Sequence, residues 1–336
     1  AKDFSEISQI ESKVYNGENQ IPLVEIPGLT QGVDYSLSWE YKKLGEKYEM
    51  FAPISGTEFI NAGEYRVTAT GLGNFGGTKT AIYVINPATL SEILPVESKV
   101  YNGENQVPEI KISNLENEKD FVLSYKYKTL NADENEFEDL QNTEFVNAGD
   151  YKITATGIGN YSGTVSATYQ IQRADYQNLS VQRQNFEYLS PSSVQFSEQV
   201  YGNIKLYYSF SNDFSSKQEF LATDNLNIGT YYFYAEIAES LNFNRFETSS
   251  SSFEVTPFDI QNATITLLEE SYDFTGLEIK PEVTLKCKDE SVTLVLGQDY
   301  TVSYENNIYI GTAKVVATGT GNFTGTKEKD FQIVKG

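Results

Sequence analysis

Five carboxylates fall within seven residues in Asp133-Glu134-Asn135-Glu136-Phe137-Glu138-Asp139, a concentration of hard oxygen donors that could hold calcium. An EF-hand loop needs oxygen ligands at alternate positions and a glycine at the sixth. Counted from Asp133, Phe137 and Glu138 take the fifth and sixth places, so that motif fails. The run reads as a solvated hairpin tip with Phe137 turned inward. The alternative is weak calcium binding by Asp133, Glu134, Glu136 and Asp139, or at junctions between copies of the repeat described below.

A second grouping is aromatic. Tyr207, Tyr208, Phe210, Phe214 and the run Tyr231-Tyr232-Phe233-Tyr234 put rings on both faces of strand-like segments, where a simple sandwich needs them on one. Outward rings stack on sugars or pack on a neighbour. Tyr208, Tyr232 and Tyr234 are the candidate ligand residues, with repacking or a contact between neighbouring copies as the plainer reading.

Other chemistry is narrowed by composition. The chain has no histidine, which removes the usual general base for serine and cysteine nucleophiles and the usual nitrogen ligand of zinc. A carboxylate pair of glycosidase type cannot be picked out by spacing among 47 acidic residues. No catalytic residue is assigned, and the segment reads as non-enzymatic. Cys287 is alone, so there is no intrachain disulfide, and it lies between Lys286 and Lys288, which would favour its thiolate if exposed. A lone buried cysteine is the commoner case. No lysine stands out as a partner for an intramolecular isopeptide bond.

The elements that carry these groups are organised by an internal repeat. Lys13-Val14-Tyr15-Asn16-Gly17-Glu18-Asn19-Gln20 recurs as Lys99 to Gln106, and Asn61-Ala62-Gly63-Glu64-Tyr65 recurs as Asn147-Ala148-Gly149-Asp150-Tyr151, both 86 residues on. Two weaker copies follow. Asn227-Ile228-Gly229-Thr230-Tyr231 with Leu241-Asn242-Phe243 marks a diverged third, and Phe274-Thr275-Gly276 with Gly319-Thr320-Gly321-Asn322-Phe323 marks a fourth. Such a period fits an array of small domains better than a solenoid of 20- to 50-residue units. The expected division is 1–86, 87–172, 173–257 and 258–336, with prolines at two of the three junctions and no flexible Gly/Ser tether.

Within each copy the apolar period is two. Tyr65, Val67 and Ala69 alternate with polar neighbours, as do Tyr151, Ile153 and Ala155, then Tyr231, Phe233 and Ala235, then Ala313, Val315 and Ala317. The pattern predicts an all-β chain, a tandem array of four Ig-like β-sandwich modules. Gly71-Leu72-Gly73-Asn74 and its counterparts read as turn residues, since a phosphate cradle needs a helix after the loop and a strand follows here. The aromatic after each asparagine (Phe75, Tyr161, Phe243, Phe323) is expected to fold over the end of the core.

Together, the Tyr-Asn-Gly or Phe-Thr-Gly opening, Gly297-Gln298-Asp299-Tyr300-Thr301-Val302-Ser303-Tyr304, and Gly311-Thr312-Ala313 through Thr318-Gly319-Thr320-Gly321-Asn322-Phe323-Thr324-Gly325-Thr326 resemble the tandem Ig-like repeats of bacterial surface proteins, of the MBG/YDG-like type. The resemblance covers the first, second and fourth copies well and the third poorly. It implies a secreted or wall-attached location and a structural or adhesive stalk, and it transfers no site residues. A carbohydrate-binding accessory region of a larger extracellular enzyme, with the third copy as binder, is the competing expectation.

The net charge of −22 and the pI near 4.4 argue against nucleic acid and anionic membrane as partners. Host or cell-surface proteins or glycans remain, with a monomeric rod as the expected state. With no signal peptide, spanning segment or sorting signal in view, the sequence reads as a portion of a longer protein.

Overall fold

The computed structural model describes residues 1–45, 50–55, 58–221 and 224–336. The chain is all-β and Ig-like. Its only helical pieces among the described residues are two 3-10 turns, Glu134–Glu136 and Ile260–Asn262. It divides into two compact units, Ala1–Ala174 and Asp175–Gly336.

In the first unit the two copies build the same sheet twice. The strand Gly63–Gly71 lies between Tyr35–Lys42 and Thr78–Asn86, antiparallel to both, with Lys13–Val14 running parallel along the outer edge of Thr78–Asn86. Residues 99–172 repeat that order around Gly149–Gly157. The alternating sequence explains the layering, because every second residue of these central strands reaches the core. Val67, Ala69, Ile153 and Ala155 have no exposed surface.

The recurring Tyr-Asn-Gly-Glu-Asn-Gln loop is a staple. Asn16 Oδ1 accepts from the Glu18 N–H at 2.9 Å, Asn19 Oδ1 from the Phe59 N–H at 2.7 Å, and Gln20 Nε2 donates to the Val14 carbonyl at 3.0 Å. The Tyr83 hydroxyl then donates to the Gln20 carbonyl at 2.8 Å. Asn102, Asn105, Gln106 and Tyr169 repeat all four bonds. The two asparagine side chains and the glutamine side chain of the motif therefore each satisfy a backbone group at the edge of the sheet.

In the second unit, Gly229–Ile237 and Gly311–Gly319 are the corresponding central strands. Phe186–Glu187 runs parallel beside Ser251–Thr256, and the Tyr188 N–H donates to the Thr256 carbonyl at 2.8 Å, as the Tyr15 N–H does to Asn86 at 2.8 Å. Tyr188 thus occupies the place of Tyr15, a correspondence hidden in the sequence because Leu189-Ser190 replaces Asn16-Gly17. The left-handed residue moves one place earlier, to Leu189 with φ of 67°, where the first copy has it at Gly17 with φ of 81°.

Between copies within a unit the connection is a single proline. The strand Thr78–Asn86 is followed by Pro87 and the strand Ala88–Thr89, and Ser251–Thr256 by Pro257 and Phe258–Asp259. Proline has no N–H to leave unpaired and a fixed φ, so the joint has few conformations.

Tyrosine supplies much of the core. Tyr65, Tyr83, Tyr151, Tyr169, Tyr231 and Tyr300 are each at most 2% exposed, and burial raises the hydroxyl pKa of every one above its ordinary 10.0. The unfolded chain ionises near pH 10 while the folded chain keeps these protons, so their contribution is intact below that pH and declines as pH rises through it. With no histidine to titrate, stability should stay level between about pH 6 and pH 8.5 and fall above about pH 10. Tyrosinate absorbance of this buried set should rise together with loss of the β circular dichroism signal. Titration of the set with the β signal intact would contradict this.

Candidate functional site: the asparagine clasp between copies

The best-built polar constellation joins one copy to the next. It consists of a socket at one pole and an arm at the other.

Asn61-Ala62-Gly63-Glu64-Tyr65 forms the socket. The Tyr65 hydroxyl donates back four residues to the Asn61 carbonyl at 2.8 Å, and the Tyr41 hydroxyl donates to the Ala62 carbonyl at 2.9 Å. Gly63 is required by this closeness, since a β-carbon there would lie 2.7 Å from the Lys42 carbonyl oxygen and against the Tyr41 ring. With both carbonyls tied, the Ala62 N–H and the Asn61 side chain face the next copy.

The arm is the turn Ile158-Gly159-Asn160-Tyr161. It closes with the Tyr161 N–H donating to the Ile158 carbonyl at 3.1 Å, and Gly159 takes φ of 62° while Asn160 stays at negative φ, as in a type II′ turn. Asn160 Oδ1 accepts from the Ala62 N–H at 2.8 Å, and Asn160 Nδ2 donates to Asn61 Oδ1 at 3.1 Å. Beside this bidentate contact the Tyr15 and Tyr161 rings meet edge to face, 5.5 Å between centroids. Such a ring pair is worth about 0.5–1.5 kcal/mol beyond its buried area.

The second unit repeats the arrangement with different residues. Asn322 Oδ1 accepts from the Ile228 N–H at 3.0 Å, and Asn322 Nδ2 donates to Asn227 Oδ1 at 2.9 Å. The Tyr231 hydroxyl holds the Asn227 carbonyl at 2.8 Å, and Tyr188 meets Phe323 edge to face at 5.5 Å. Here Lys288 Nζ also donates to Ser190 Oγ at 3.2 Å, and Tyr188 and Leu189 pack on the core of the fourth copy.

Sequence reasoning identified these glycines and asparagines as turn residues but not the asparagine side chain as a connector. A signal was present. Asn recurs at the second central turn position in all four copies, although a negative φ there makes no demand for asparagine.

The acidic run folds as a hairpin tip. Glu136 Oε1 accepts from the Asp133 N–H at 3.0 Å, Asp139 pairs with Lys126 at 3.4 Å, and Glu134 is exposed. Phe137 is half-buried beneath the Lys128 and Lys152 ammonium groups. Among the described residues no group of three or more acidic or cysteine side chains is arranged to hold a metal ion.

The three candidate ligand tyrosines are not brought onto one face, which corrects their grouping. Tyr208 lies opposite Phe233 and packs on the core side, its hydroxyl bonded to Gln218 Oε1 at 2.7 Å. Tyr234 is on the other side of the sheet, paired with Tyr207, and is only 6% exposed. Phe214 covers it edge-on at 4.8 Å, and Lys217 lies over the Tyr207 ring and hydrogen-bonds the Tyr234 hydroxyl and Glu236. Tyr232 shares that outer side and is half-buried. Tyr207, Phe214 and Tyr234 therefore form a small second cluster on the side of the sheet away from the core.

Cys287 ends a strand in the core of the fourth copy, and burial raises its thiol pKa despite Lys288.

No protein-family model matches this chain, and no curated protein does. Solved structures to which this chain is similar include a tetra-tandem repeat from the extending region of a large adhesion protein, at 9% identity over 97% of this chain and 98% of that one, with a TM-score of 0.33. The insect immune protein hemolin aligns at 13% identity over 99% and 100% of the two chains, TM-score 0.21. The S-layer protein rSbsC aligns at 11% identity over 99% of this chain and 54% of its own, TM-score 0.23.

Asn160→Ala removes both clasp bonds and should cost about 1–2 kcal/mol. Asn160→Asp keeps an acceptor for the Ala62 N–H but sets a carboxylate against Asn61 Oδ1, so it should recover only part of that loss. Urea unfolding of the three proteins checks the order, and an Asn160→Ala curve matching the native one would rule the clasp out as a stabilising contact.

Proposed function

We propose that this chain is a non-catalytic structural region, a stalk of tandem sandwich modules that spaces or presents other parts of an extracellular or cell-surface protein of bacterial type. The modules correspond to residues 1–86, 87–172, 173–257 and 258–336, and the chain acts as a monomer. The observation that carries this reading is the repetition of one clasp at two junctions. An Asn arm, an Asn-x-Gly socket, an edge-to-face ring pair and a one-residue proline linker recur together in both units.

That combination is what a spacer requires. A one-residue linker limits the swing of one module on the next, and the clasp fixes the remaining torsion with hydrogen bonds at both functional ends of one amide. An enzyme needs a cleft with convergent groups of matched pKa, whereas in the cleft beside the clasp, lined by Tyr15, Tyr41, Lys43, Glu116, Lys119 and Asp120, the Lys119 ammonium is paired with Glu116 at 2.9 Å. No helix among the described residues is long and apolar enough to cross a membrane. Adhesive contacts to proteins or glycans belong to the same reading, carried by exposed surfaces of the modules.

Residual dipolar couplings on the full chain test the spacer role. One alignment tensor should fit the first and second copies of the native chain together, and Asn160→Ala should separate them into two differently ordered sets. Independent tensors in the native protein would sink the proposal, since a freely jointed pair cannot act as a spacer of fixed length.

A further inference from the structure

The first copy carries a third arm of the same build with nothing in its grip. Leu72-Gly73-Asn74-Phe75 closes as the engaged turns do, with the Phe75 N–H donating to the Leu72 carbonyl at 3.0 Å and Gly73 at φ of 62°. Its backbone is braced the same way as well. The Asn74 carbonyl accepts from the Lys2 N–H at 2.8 Å, as the Asn160 carbonyl does from Ala88 at 2.9 Å and the Asn322 carbonyl from Phe258 at 3.0 Å.

The difference lies in the side chain. Asn160 and Asn322 are half-buried and doubly bonded, whereas Asn74 is exposed and its amide meets no partner among the described residues. Asn242, in the remaining copy, is partnered. Leu72 in the same turn is exposed as well, and its N–H is bonded to the Asp34 carbonyl at 2.8 Å, so the turn that presents the free amide is tied to the loop before the strand Tyr35–Lys42.

We propose that Asn74 is a docking arm for the Asn-x-Gly pole of another sandwich module of this repeat type. Its Oδ1 accepts from the N–H after that asparagine, and its Nδ2 donates to the asparagine's side-chain oxygen. The inference rests on the spacer reading above. The partner's chemistry follows from the two engaged sockets, which both present Asn-x-Gly-x-Tyr, with the tyrosine holding the asparagine carbonyl. The chain's own fourth copy lacks that chemistry. Tyr309-Ile310-Gly311-Thr312-Ala313 keeps the glycine but has neither the amide acceptor nor the phenol, and Tyr309 is 75% exposed.

The test adds a duplicate of residues 1–86 directly ahead of Ala1 in the full chain, so that Asn86 leads into Ala1 as it leads into Pro87. The duplicate's Ala62 amide then faces Asn74, while the original Ala62 faces Asn160. Native-state hydrogen exchange should find both Ala62 amides protected to a similar degree. Asn74→Ala should lower protection of the duplicate's Ala62 about tenfold and leave the original's unchanged. Asn74 is exposed and belongs to no core cluster, so the variant keeps its β circular dichroism spectrum. Protection of the original alone overturns this inference and spares the spacer reading, and protection of neither overturns both. Sedimentation of the unmodified chain tests the other occupant, a second copy docking through its fourth module. A concentration-dependent dimer abolished by Asn74→Ala would overturn the assignment in favour of that pole.

Discussion

One amide side chain, used at both ends, sets the geometry on which the rest of this chain depends. A backbone N–H just ahead of the central strand, at the pole of the sheet, needs a partner, and in each unit that partner is an asparagine from the following copy. The asparagine is held in position by a glycine turn that only a residue without a β-carbon makes cheaply. The receiving asparagine is held by a phenol four residues on. The core of each copy supplies that phenol, so core packing and the contact between copies share a residue.

This dependence explains why so much of the repeat is polar yet strictly repeated between the first two copies. Asn16, Asn19 and Gln20 close the sandwich edge, Asn61 and Tyr65 form the socket, and Gly73, Asn74 and Phe75 form the arm. Individual neutral hydrogen bonds contribute about 0.5–1.5 kcal/mol, so none of these dominates stability. Each ties a polar group at a pole or an edge of its copy to a fixed partner.

The β architecture was legible because alternation and glycine spacing report directly on buried faces and turns. Tyr65, Val67 and Ala69, and their counterparts in the other copies, are buried as their period indicates. What escaped was contact between copies. Tyr188 was not matched to Tyr15 because identity was lost at the neighbouring positions, whereas the backbone bond to the preceding strand was kept. The tyrosines of the third copy were legible only in part. Residue type put rings on both faces, with repacking as the plainer reading, but it could not say that strand register puts Tyr208 on the core side or that a loop ring, Phe214, covers Tyr234. Register across strands and coverage by a distant loop are tertiary facts that one sequence does not state.

The central claim is that Asn61 and Asn160 act on each other across the junction, and a double-mutant cycle of Asn61→Ala and Asn160→Ala measures that directly. The structure predicts a coupling of about 0.5–1 kcal/mol between them. Strictly additive losses, with no coupling beyond measurement error, would contradict it.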